Sequence, residues 1–93
     1  PPMLTLIVYD IADNRRRYKL SKLLEGHGRR VQESVFECFL TQPEMERLHQ
    51  QVAGRLNHHE DNVRFYWIPP QAMAKTLTIG SAKPAPPPSA YIF

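Results

Sequence analysis

Ninety-three residues, 42% of them apolar, suit one compact domain with a modest core and leave no room for a separate catalytic domain. Twelve Lys and Arg against nine Asp and Glu give a formal charge of +3, an excess that permits an anionic partner without requiring one. The single cysteine, Cys38, excludes an internal disulfide framework and the paired thiols of a zinc knuckle, and no apolar run approaches the roughly 20 residues of a membrane-spanning helix, so a soluble, cytoplasmic protein is expected. Met3 reads as the natural start, with Pro1 and Pro2 as additions outside the fold.

Leu4 to Val8 is apolar or β-branched without strict alternation, the pattern of a strand covered on both faces, and ends at Tyr9-Asp10. Asp13 is placed to cap a helix over 13–27, in which Leu20, Leu23, Leu24 and His27 recur at helical spacing until Gly28 offers a left-handed stop. Val31 to Leu40, rich in Val and Phe, predicts one long strand or two short ones broken near Gln32 to Ser34. A second helix is predicted over 43–56, with Pro43 in its first turn and Met45, Leu48, Val52 and Leu56 as its apolar stripe. Asn57 to Asn62 reads as a polar loop, Val63 to Ile68 as a strand stopped by Pro69-Pro70, and Thr76 to Ile79 as a short strand closed by Gly80. Residues 1–80 thus predict one domain of order β, α, β, α, β, β, and 81–93 a proline-rich spacer leading to a terminal strand, Ala90 to Phe93, or to a disordered tail.

That order fits an α+β, ferredoxin-like sandwich with two helices on one face of a mainly antiparallel sheet. The other face then needs a cover, because Val63 to Ile68 carries large apolar groups on both alternating faces. A homodimer packed sheet to sheet is expected.

Asp10, at the carboxyl end of the first strand, stands close in sequence to Arg15, Arg16 and Arg17: an acid that can hold a divalent cation beside donors for phosphate. Mg²⁺ takes most of its ligands from water and substrate phosphate, so one Asp10 from each subunit across a two-fold axis would suffice, with Asp13 assisting. By local pattern the two acids also read as turn and cap residues. Three cations in a first helical turn oppose the helix dipole and call for a nearby counter-charge, either Asp10 and Asp13 or a phosphate backbone. Lys19, Lys22, Arg29 and Arg30 extend the positive zone, which reads as a binding stripe or a solvated face. His58-His59-Glu60-Asp61 lacks metal spacing and reads as a surface loop; Phe65, Tyr66 and Trp67 read as core or interface ahead of a base-stacking platform, and Cys38 as a packed hydrophobe. No Gly-rich phosphate loop, GxSxG elbow or HExxH helix occurs, which sets aside nucleotide hydrolases, esterases and zinc proteases.

Tyr9-Asp10-Ile11-Ala12-Asp13, the arginine cluster, Gly28 to Glu37 (GRRVQESVFE) and Leu77-Thr78-Ile79-Gly80 together resemble the CRISPR-associated protein 2 family over most of the chain. The resemblance implies a ferredoxin-like homodimer acting with the CRISPR integrase in spacer acquisition, and a Mg²⁺-dependent endonuclease on single-stranded RNA or double-stranded DNA. It makes Asp10 the metal-binding, catalytic aspartate, Tyr9, Arg17 and Arg30 its phosphate-positioning neighbours, Phe36 a supporting residue, and Ala90 to Phe93 a strand that crosses to the partner subunit. Two other readings stand beside the nuclease: a non-catalytic dimeric adaptor that bridges integrase subunits and holds DNA backbone, and a toxin-like ribonuclease without an integrase partner.

Overall fold

The apolar run at the start of the chain is the middle of a strand. In the structure, a computed structural model that describes residues 1–80, β1 covers Met3–Asp10. Helix α1 follows over Asn14–Glu25, capped by Asp13, whose backbone is extended and whose side-chain carboxylate accepts the Arg16 N–H at 2.8 Å. Strands β2, Arg29–Gln32, and β3, Val35–Leu40, are joined by a tight turn at Glu33 and Ser34. Helix α2, Gln42–Ala53, opens with a capping box in which Thr41 Oγ1 accepts from the Glu44 N–H and the Glu44 carboxylate accepts from the Thr41 N–H. Strand β4 covers Asn62–Ile68, and a short helix, α3, covers Pro70–Ala74.

The strands lie in the order β2-β3-β1-β4, antiparallel at every junction. With α1 and α2 this is the ferredoxin-like α+β sandwich that the sequence predicts, and α3 is an addition packed against β1. Directly opposed residues share a face, so the register sorts the side chains. Thr5, Ile7 and Tyr9 of β1 align with Cys38 and Phe36 of β3 and with Trp67, Phe65 and Val63 of β4. This face meets Leu20 and Leu24 of α1 and Leu48 and Val52 of α2 to form the core. The second face carries Leu4, Leu6, Val8 and Asp10 beside Phe39, Glu37 and Val35 on one side and Ile68, Tyr66, Arg64 and Asn62 on the other. Of these only Leu4 is buried; Leu6, Val8, Val35, Phe39 and Ile68 remain half-buried and Tyr66 is exposed.

Several boundaries differ from expectation. Helix α1 stops at Glu25, because Gly26 caps it in the right-handed region and His27 lies beyond it, its ring Nδ1 3.0 Å from the Leu23 carbonyl oxygen. Gly28 is therefore no left-handed stop. It is small because β3 runs against it: a Cβ there would come within 2.4 Å of Cys38 Sγ and of the Glu37 carbonyl oxygen. Helix α2 starts one residue earlier than predicted and ends at Ala53, with Leu56 packing on the core from the following loop. Thr76 to Ile79 is not a strand. It pairs with no described strand, and without a ladder partner its apolar groups stay in solvent, Leu77 95% and Ile79 104% exposed. The predicted spacer and terminal strand, 81–93, lie outside the described residues.

Candidate phosphodiester site at the end of the first strand

The pleat that buries Tyr9 on the helix side sends Asp10 to the opposite face, at the last residue of β1 and across from Asn62. Asp10 is exposed, and its carboxylate accepts no hydrogen bond among the described residues. Such a carboxylate is chemically suited to a hard divalent cation, provided that water and phosphate complete the shell. Among the described residues no three His, Cys, Asp or Glu side chains gather as a ready-made metal cage.

Tyr9 is buried at 4% exposure, and its hydroxyl donates to the Glu33 carbonyl at 3.2 Å. Burial raises its pKa, while the charges of Arg30 and Arg17 pull the other way. Arg30 donates to the same Glu33 carbonyl at 3.3 Å, and its guanidinium lies 5.3 Å from the Phe36 ring centroid. Tyr9 and Phe36 stack at 6.4 Å. Tyr9, Arg30 and Phe36, three of the predicted site residues, thus form one unit joined through the β2–β3 turn.

The arginines of α1 separate into three roles. Arg15 is exposed and makes no side-chain hydrogen bond or ion pair among the described residues. Arg16 turns to the loop before β4: its Nε donates to Asp61 Oδ2 at 2.8 Å, and one terminal nitrogen reaches Asp61 Oδ1 at 3.3 Å and Glu60 Oε2 at 2.9 Å. Arg17 donates to the Ile11 carbonyl at 2.8 Å and to the Asn14 side chain. The counter-charge demanded by the crowded first turn is therefore met inside the chain, for Arg16 by Asp61 and Glu60 and for the helix terminus by the Asp13 cap. Asp13 is held below the usual carboxylate range by the Arg16 backbone N–H it caps. Farther along, Lys22 sits over the Tyr18 ring and 3.5 Å from Glu25.

Sequence reasoning missed Asp61. Its side chain is 0% exposed, and hydrogen bonding from Arg16 holds its carboxyl below the usual range, assisted by the Asn57 N–H at 2.9 Å. The available signal was the arginine cluster itself, which needed acids, and Glu60-Asp61 precedes a predicted strand. The aromatic run of β4 is split by the pleat, Phe65 and Trp67 on the helix side and Tyr66 on the other, where Arg64 donates to its hydroxyl at 3.3 Å; it is no continuous stacking platform. Cys38 is buried, and its thiol is pushed up to about 11 by burial, as befits a packed hydrophobe.

A four-stranded antiparallel sheet packed on two helices, with an exposed, unpaired acid at the end of its first strand, defines a class of small ferredoxin-like α+β proteins. The chain belongs to the family described as CRISPR associated protein Cas2, whose family model matches residues 3–76. It is similar to a CRISPR-associated endoribonuclease Cas2 of Thermus thermophilus, with 43% identity over 75 residues that cover 81% of this chain and 80% of that protein. Among solved structures it is similar to Streptococcus pyogenes Cas2, with a TM-score of 0.72 and 29% identity over 84% of this chain and all of that one. It is also similar to a chain of a partial Cas6-RT-Cas1–Cas2 complex, with a TM-score of 0.74 and 32% identity over 98% of this chain and 99% of that chain.

Proposed function

We propose that this chain is a CRISPR spacer-acquisition protein, a Mg²⁺-dependent endonuclease that cuts single-stranded RNA or double-stranded DNA phosphodiesters as a sheet-to-sheet homodimer. The observation that carries the reading is the unpaired, exposed carboxylate of Asp10 at the end of β1 in a chain of this family. When bound, Mg²⁺ would supply a metal-activated water and draw charge from the phosphate oxygens. Asp10 would hold the cation and Arg15 and the free donors of Arg17 and Arg30 would hold phosphate, while Tyr9 and Phe36 fix Arg30 and the β2–β3 turn.

Asp10 lies on the face with half-buried Leu6, Val8, Val35, Phe39 and Ile68. Covering that face with a second copy would bring two Asp10 side chains to one interface, which meets the need for a second carboxylate. Likeness to a chain of a Cas1–Cas2 complex supports an integrase partner over a stand-alone toxin, and relatives named endoribonucleases favour the nuclease over the passive adaptor.

The test is cleavage of labelled single-stranded RNA and short duplex DNA by the wild type and Asp10→Ala, in Mg²⁺ and in EDTA, with the dimer verified by sedimentation. Metal-dependent cleavage lost in the mutant supports the proposal. Absent cleavage, or cleavage that survives the substitution, overturns it.

A further inference from the structure

Asp10 has no side-chain partner of its own among the described residues, so its carboxylate is only as well placed as the backbone beneath it. Three residues, Ile11 to Asp13, join it to α1, and the first and last of them are tied down. Ile11 is buried and its carbonyl receives Arg17 at 2.8 Å, while Asp13 caps the helix. The start of α1 is held by the Asp61 carboxylate. That carboxylate in turn binds Arg16 through both oxygens and the Asn57 N–H at 2.9 Å, immediately before Asn62, the cross-strand partner of Asp10.

Asp61 thus joins the start of α1 to the start of β4, the two segments that flank Asp10. An apolar contact could hold α1 against this loop at less desolvation cost, since ion pairs removed from water are weak sources of net stability. What a bidentate pair supplies is fixed geometry. We infer that Asp61, through its fork with Arg16, is a positioning residue that sets the Asp10 carboxylate for metal-dependent cleavage; the inference rests on the nuclease reading of Asp10. Arg16, predicted from sequence to bind nucleic acid, then serves the site from behind and leaves direct phosphate contact to its neighbours.

Asp61→Asn keeps the size of the side chain and removes the charge; Arg16→Lys keeps the charge and removes the fork. Both are compared with wild type by single-turnover RNA cleavage across a Mg²⁺ titration, RNA affinity in EDTA, thermal melting, and amide hydrogen exchange. The expected result is cleavage slowed about 10- to 100-fold in Asp61→Asn, the range for loss of groups that orient metal ligands, with a smaller loss in Arg16→Lys and RNA affinity unchanged. Exchange should quicken at Ile11 to Asp13 while the Leu6 to Val8 amides keep their protection. Cleavage at the wild-type rate in either folded variant overturns the inference and leaves the nuclease reading standing, as does a loss accompanied by uniformly faster exchange, which marks a general stability role. A wild type that never cleaves removes the nuclease reading, and the inference with it.

Discussion

Replacing Gly28 by alanine inserts one methyl group where β3 passes closest to the start of β2. The new carbon would sit 2.4 Å from the Glu37 carbonyl oxygen, 2.4 Å from Cys38 Sγ and 2.8 Å from Cys38 Cα. Ordinary contacts between such atoms lie near 3.5 to 4.0 Å, about 1 Å farther out, so the strands must part by roughly that amount. Two of the three atoms are backbone, and Cys38 is 0% exposed, so no flexible side-chain end can yield. Overpacking of this kind costs about 1 to 3 kcal/mol. In a domain of this size that lowers the melting temperature by roughly 5 to 20 °C. The control is Gly26→Ala, where the nearest atom is the Leu23 carbonyl oxygen at 3.4 Å and the backbone is already right-handed; it should hold or slightly raise the melting temperature by restricting the unfolded chain. Because Gly28 precedes Arg29 and Arg30, the shift should also loosen Arg30 from Phe36. Thermal unfolding followed by circular dichroism decides. If Gly28→Ala melts with the wild type, or no lower than Gly26→Ala, the close-packing argument is wrong.

Thr41→Ala removes half of the α2 capping box and should cost about 1 kcal/mol, read as a lower urea midpoint at unchanged slope. Asp61, Glu44 and Asp13 all have lowered carboxyl pKa values, from Arg16, the Thr41 N–H and the Arg16 N–H respectively, so their stabilisation is present above the ordinary carboxylate range and is lost as pH falls through the folded values. Urea midpoints should hold steady from neutral pH down to about 5 and then drop, less steeply in Asp61→Asn. Cys38, buried with its thiol pushed up to about 11, should resist iodoacetamide at pH 8 in the native protein and react fully in denaturant. Leu6→Lys places a charge on the second face opposite Glu37, where the folded chain can neutralise it but an apposed sheet cannot; sedimentation should show a monomer with wild-type secondary structure.

Most of the fold could be read from local pattern because local physics decides it. The apolar run of β1, the Asp13 cap, the stripe of Leu48 and Val52 and the aromatic run of β4 before Pro69 each carry their own signal. Misreadings arose where a residue answers to something distant in sequence. Gly28 looked like a helix terminator because a glycine after a leucine-rich segment usually is one, and its real constraint, Cys38, lies across a turn. Pro69-Pro70 looked like a strand stop, which it is, but Pro70 also suits a first helical position and opens α3. Thr76 to Ile79 has strand composition, yet a strand exists only where a partner accepts its ladder.

The site divides along the same line. The placement of Asp10 as an exposed carboxylate at a strand end was legible from the apolar run before it, and Arg15, Arg16 and Arg17 were legible as a cluster. Their separate duties were not, because at α-helical spacing consecutive arginines diverge by roughly 100° and meet different neighbours. Only the β1–β4 pairing brings Asp61, 45 positions along, to Arg16, and only the turn after β2 brings Arg30 and Tyr9 to one carbonyl. A carboxylate read as loop is thereby the most enclosed acid of the cluster, its side chain 0% exposed against 56% for its neighbour Glu60. The ionised form of Asp61 is favoured by hydrogen bonds from Arg16 and the Asn57 N–H, which outweigh the cost of its burial. The arginine helix and the loop before β4 thus share one ion pair, and a substitution at either end of it should disturb both.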